Sequence, residues 1–135
     1  HVIRGTLETK HTVNIAYGYV VHPQAIGSIE ISSGRIEALI KYKEVVYDLF
    51  QAGFSVFIHD HRGHGESSRM TPNPHQGFID DFGDYVEDFE CFYQHIIKPH
   101  SVHKPFLLCH SMGCAIGAMY LLAMPDRFQK AVFSL

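Results

Sequence analysis

One junction constrains the fold of this chain more than any other: Pro105-Phe106-Leu107-Leu108 reads as a short apolar strand, and Cys114 to Met124 as an uncharged helical run. Only Cys109-His110-Ser111-Met112-Gly113 separates them. A strand that turns this sharply into a helix needs small residues two positions either side of the bend, because the two backbones nearly touch there. Gly113 meets that need, and Cys109 stands where a G-x-S-x-G motif has its first glycine, with a side chain that is still small. A serine at the bend is lifted clear of the sheet, where a base can take its proton and helix amides can face an oxyanion. Ser111 is therefore the candidate nucleophile, with Cys109 and Gly113 as supports of the elbow. The bland alternative, a serine that caps a helix, fits the strand before it less well. His110 is next to the serine, but adjacent residues on a sharp turn point apart, so it reads as a packing residue.

The rest of the chain alternates around that junction. Val13 to Val21 and Gly27 to Ile31 are rich in strand formers and bounded by turn residues. Lys41 to Ala52 places Val45, Val46, Leu49 and Phe50 at helical spacing and stops at Gly53. Phe54 to Ile58 is a continuous apolar run, the mark of a strand buried on both faces. From Phe82 to Ile97 aromatic and aliphatic residues recur at i, i+3 and i+4, with Asp84, Glu87, Asp88 and Glu90 opposite them. Met112 to Met124 reads as a buried helix, and Ala131 to Leu135 as a last strand. Strand and helix in turn predict an α/β fold, a mostly parallel sheet covered by helices on both faces.

Composition narrows the function classes. A chain of 135 residues, 46% hydrophobic and 19% charged, suits one globular unit. A net charge of -3 with no basic cluster argues against a nucleic-acid partner. Cys91, Cys109 and Cys114 lie in apolar elements and read as reduced core thiols, hence a reducing compartment. The longest apolar run, Met112 to Met124, falls short of the roughly 18 residues of a membrane span. The chain ends on an unfinished strand, so we expect residues 1–135 to be the N-terminal part of a single domain whose lid and C-terminal part are absent.

His59-Asp60-His61-Arg62-Gly63-His64 invites a zinc reading, yet Gly63 stands where H-x-H-x-D-H requires its aspartate ligand. No metal and no cofactor is expected. The same residues, continued through Gly65-Glu66-Ser67, fit a D-x-R-G-x-G-x-S loop after a sheet strand, whose glycines permit a tight turn and whose charges tie it down.

Taken together, the Ser33-Gly34-Arg35-Ile36-Glu37, Lys41-Tyr42, Tyr47-Asp48-Leu49-Phe50, Asp60-to-Arg69 and His110-Ser111-Met112-Gly113 segments resemble the α/β-hydrolases of the monoacylglycerol lipase and lysophospholipase group. The likeness covers about Gly27 to Leu135. Relatives that cleave neutral glycerides carry His-Gly where this chain has Ser33-Gly34, which points to the lysophospholipase side of the group. The resemblance implies Ser111 as the nucleophile and the backbone N–H groups of Arg35 and Met112 as the oxyanion hole. It implies a triad Asp and His beyond the elbow helix, neither of them in this chain, so that the fragment alone is inactive. Asp126, at a helix end, comes too early to be the acid. The substrate implied is a lysophospholipid or other monoacyl ester, the place cytoplasmic or peripheral on the inner membrane, and the mechanism an acyl-enzyme. A neutral monoacylglycerol lipase or general carboxylesterase uses the same parts, and a non-catalytic fragment that binds an acyl ligand or a partner is the alternative of another class. The Arg35 side chain stands either as a contact for substrate phosphate or as a structural partner of Glu37 or Asp60.

Overall fold

The computed structural model describes residues 2–9, 13–33, 39–62, 67, 83–101 and 103–134. Six strands, β1 (Ile3–Glu8), β2 (Asn14–Val20), β3 (Gly27–Ser32), β4 (Phe54–His59), β5 (Phe106–His110) and β6 (Ala131–Ser134), form one sheet in the order β1-β2-β4-β3-β5-β6. β3 runs parallel to β4 and β5, and β5 parallel to β6, while β1 and β2 are antiparallel additions at the other edge. The predicted α/β architecture is thus present. β1 is an addition to it, since Ile3-Arg4-Gly5-Thr6-Leu7-Glu8 alternates too weakly to announce itself and is held by pairing with β2.

Alternation along the strands sorts the core into two faces. Ile29 and Ile31 of β3, Val56 and Ile58 of β4 and Val20 of β2 face one way. They meet Val46, Leu49 and Phe50 of α1 (Lys43–Gln51), which follows a 3-10 turn (Leu39–Tyr42). Val45, grouped with that apolar stripe by its spacing, is instead 38% exposed. α1 stops as expected: Gly53 takes φ 103, a conformation that glycine alone adopts readily, and its N–H reaches the Phe50 carbonyl at 3.0 Å.

The opposite face carries α2 (Gly83–Phe92), which widens into a π turn (Tyr93–Ile97) and ends as α3 (Lys98–His100), and α4 (Met112–Ala123). Phe89 stacks on Tyr120 with ring centroids 4.4 Å apart, and Leu107, Cys109, Ile116 and Phe128 close around them. Fully burying side chains of this size stabilises by about 1.5–3 kcal/mol each. The expected buried helix is only half so: α4 hides Gly113, Cys114, Ile116, Gly117 and Tyr120, while Leu122 is 86% exposed. Nor does β6 lie beneath helices on both faces, since Val132 and Phe133 are exposed. Cys91, expected among the core thiols, is half-buried; all three cysteines are free. No helix among the described residues is long and apolar enough to cross a membrane.

Candidate active site

The elbow is built by four contacts. Ser111 adopts φ 54, ψ -123, a region that costs a non-glycine residue about 1–3 kcal/mol and persists only where the surroundings over-determine it. Its N–H donates to the Ser134 carbonyl of β6 at 3.0 Å, and its own carbonyl accepts from the Cys114 N–H at 2.9 Å. Its side chain is exposed at the C-terminal end of β5. Behind it α4 presses on the end of β3: a methyl group on Gly113 would overlap the Ser32 and Ser33 carbonyl oxygens. The Ser32 hydroxyl donates to the Gly113 carbonyl at 2.9 Å, locking the same approach.

Cys109 lies wholly buried under the bend, and burial, with Cys114 and Glu30 nearby, pushes its thiol up to about 12. It is a packing group, inert as a thiolate. A methyl group on Gly117 would come 2.6 Å from its sulfur, so α4 and β5 are as close as this pair of residues allows. Met112 opens α4; its N–H belongs to the first helical turn, where the helix offers no acceptor. His110 is the half-buried last residue of β5, opposite in face to Cys109. Arg35, the other expected oxyanion residue, lies outside the described residues, as do Gly63, His64 and Gly65.

The segment read as a tied-down loop is anchored on both sides. The Asp60 N–H donates to the Ala16 carbonyl of β2 at 2.9 Å, and the Asp60 carbonyl accepts from the Ser67 hydroxyl at 2.7 Å. Ser67 in turn accepts from the Ala16 N–H at 2.8 Å. Arg62 forms a fork on Asp88 of α2, Nε to Oδ2 at 2.7 Å and Nη2 to Oδ1 at 2.8 Å, both groups buried, with Asp84 at 3.5 Å. The hydrogen bond to Asp88 chiefly holds the guanidinium above its ordinary pKa.

A polar cluster that the apolar-run reading missed lies between this loop and the elbow. Glu30, on β3, and His59, on β4, are fully buried with Oε1 and Nδ1 3.2 Å apart. Burial raises the Glu30 carboxyl well above its ordinary value; burial, then the neighbouring His61, pushes His59 well below its own. The pair stands at ion-pair distance, yet both shifts favour the neutral forms, joined by one hydrogen bond between Oε1 and Nδ1. Among the described residues Glu30 Oε2 and His59 Nε2 have no hydrogen-bond partner. His61 Nε2 donates to the Ser33 carbonyl at 3.2 Å. In the sequence Glu30 stands out within the apolar strand Ile29-Glu30-Ile31, and His59 and His61 within the histidine-rich segment, with nothing to join them. No group of three or more His, Cys, Asp or Glu among the described residues is arranged to hold a metal ion.

A strained, exposed serine between a parallel strand and the helix it feeds, at the C-terminal edge of a mostly parallel sheet, defines the α/β-hydrolase class. The chain belongs to the Hydrolase_4 family, described as serine aminopeptidase, S33, which matches residues 23–134. It is 45% identical over 97 residues to lysophospholipase L2 of Escherichia coli K12, covering 72% of this chain and 28% of that protein. It is 33% identical over 112 residues to the monoglyceride lipase of Mus musculus, covering 82% of this chain and 34% of the relative. The chain thus spans less than half the length of these curated relatives. In fold it is similar to a probable hydrolytic enzyme of Pseudomonas aeruginosa, with TM-score 0.79 at 18% identity, over 98% of this chain and 40% of that one.

Proposed function

We propose that the chain is the N-terminal part of a serine hydrolase, one α/β-hydrolase domain when complete, that cleaves the acyl ester of lysophospholipids. The observation that carries this reading is Ser111, exposed at φ 54 on a bend fixed by Gly113, Ser32 and Ser134. Strain of this kind is retained where a hydroxyl must be presented to a substrate. Ser111 Oγ attacks the ester carbonyl while an imidazole, supplied beyond these residues, takes its proton. The N–H groups of Met112 and Arg35 hold the oxyanion. Collapse expels the glycerophosphodiester alcohol, which takes the proton back from the imidazole, and leaves an acyl-serine; water then releases the fatty acid and restores the hydroxyl.

The likeness to lysophospholipase L2 at 45% identity favours a lysophospholipid over the monoglyceride suggested by the 33% relative. Assay of the complete enzyme on both substrates tests the reading. Ser111→Ala should lower turnover on the order of 10⁴-fold or more on each, since triad members act as a unit. Arg35→Ala should reduce lysophospholipid cleavage more than monoglyceride cleavage if the guanidinium meets phosphate, and both equally if it is structural. Full turnover by Ser111→Ala would overturn the assignment, and preference for the neutral glyceride would shift it to the second substrate.

A further inference from the structure

We propose that His61 is a positioning residue for the elbow, acting through the Ser33 carbonyl; the proposal rests on Ser111 being the nucleophile. Three features converge on the last residues of β3. α4 packs Gly113 against the Ser32 and Ser33 carbonyl oxygens with no room for a methyl group. The Ser32 hydroxyl holds the Gly113 carbonyl at 2.9 Å. His61 Nε2–H holds the Ser33 carbonyl at 3.2 Å, with both residues buried.

His61 is itself placed by its neighbours. Asp60 is stitched to β2 through Ala16 and Ser67, and Arg62 to α2 through Asp88. The one side chain between two pinned residues reaches across to β3, and its ring meets Tyr85 and His59 edge-on at 5.6 Å and 4.9 Å. A buried carbonyl left without its donor costs about 1–3 kcal/mol, a penalty that rotation toward another donor would relieve. At Ser33 that rotation would move the surface on which Gly113 rests, and with it the adjoining Ser111 and Met112 N–H. An error of about 1 Å in such a constellation costs up to roughly a hundredfold in rate.

The test uses the complete enzyme and compares His61→Leu, His61→Gln and His61→Asn. A glutamine amide reaches the place of Nε2; an asparagine amide stops at that of Nδ1. Active serine is counted by a fluorophosphonate probe. Each variant is measured for kcat and KM, for affinity to an alkyl boronic acid that forms a tetrahedral adduct on the serine, and for affinity to a non-cleavable ether lysophospholipid. Per active serine, His61→Leu should lose about 10- to 100-fold in kcat and in boronate affinity, with ether-lipid affinity within about twofold of wild type. His61→Gln should recover most of the loss and His61→Asn little.

Wild-type kcat and boronate affinity in folded His61→Leu would overturn the proposal, as would equal loss of boronate and ether-lipid binding. Should the leucine variant fail to fold, the glutamine–asparagine pair decides: equal behaviour of the two overturns it. Failure of the underlying reading shows itself separately, as turnover that survives Ser111→Ala.

Discussion

The two faces of the sheet are held by different physics. On the α1 face, Val20, Ile29, Ile31, Val56 and Ile58 meet aliphatic and aromatic side chains, and a groove of about 380 Å³ opens beside Val46, Tyr47 and Phe50. Contact there is non-directional, and small shifts of α1 alter it little. The α2 and α4 face combines a packed aromatic core with directed contacts: the Arg62–Asp88 fork, the His61–Ser33 and Ser32–Gly113 hydrogen bonds, and the neutral Glu30–His59 pair. Burying polar groups is costly unless geometry is met, so they specify position more than they add stability. They gather on the face that carries the elbow, where position matters.

The largest break in this comparison should come from Asp88→Ala. It leaves the Arg62 guanidinium buried without its fork and should cost about 3–5 kcal/mol in unfolding free energy. Val46→Ala on the half-buried α1 contact should cost only about 1 kcal/mol. Denaturant unfolding of the complete chain measures both, and comparable losses would erase the distinction between the faces.

Gly113→Ala should follow, at about 2–3 kcal/mol, because its methyl group meets backbone carbonyls of a central strand that cannot yield as a side chain would. Turnover per folded molecule should fall with it. An alanine variant with unchanged melting temperature and rate would show that α4 and β3 do not need this approach.

Much of this division could be foreseen from the residues. Periodicity exposed the α1 stripe and the long apolar face of α2, and the spacing around Ser111 located the elbow, because hydrophobic burial and close backbone approach both leave patterns in residue type. How the cluster beneath the elbow pairs was illegible for a physical reason. His61 meets Ser33 across 28 positions of chain and His59 meets Glu30 across 29, and local spacing says nothing of such pairs. β1 escaped notice because pairing with β2, rather than its own alternation, makes it a strand. The exposure of Leu122 was hidden by the even hydrophobicity of α4, whose composition has no polar stripe to mark a solvent side.

The smallest effect sharpens the account of the neutral pair. With its folded pKa raised, Glu30 keeps its proton as pH climbs past the ordinary carboxyl range while the unfolded chain loses one. Its contribution is therefore full at acid pH and is lost as pH rises. Glutamine has no such loss, so the stability of Glu30→Gln relative to wild type should increase from ~pH 5 to ~pH 6, by at most about 1.4 kcal/mol. His59, with its pKa lowered, slopes the other way below its ordinary value and is common to both proteins. Melts across that range check the sign, and a relative stability that declines with pH would mean that the folded pair has already lost its proton.

The central claim is that the strained bend exists to present Ser111 as a nucleophile, and covalent labelling tests it most directly. The complete enzyme, treated with a fluorophosphonate and digested, should carry its phosphonyl adduct on the peptide containing Ser111, at one per molecule. An adduct on another serine, or none in a folded protein that still hydrolyses esters, would contradict the account.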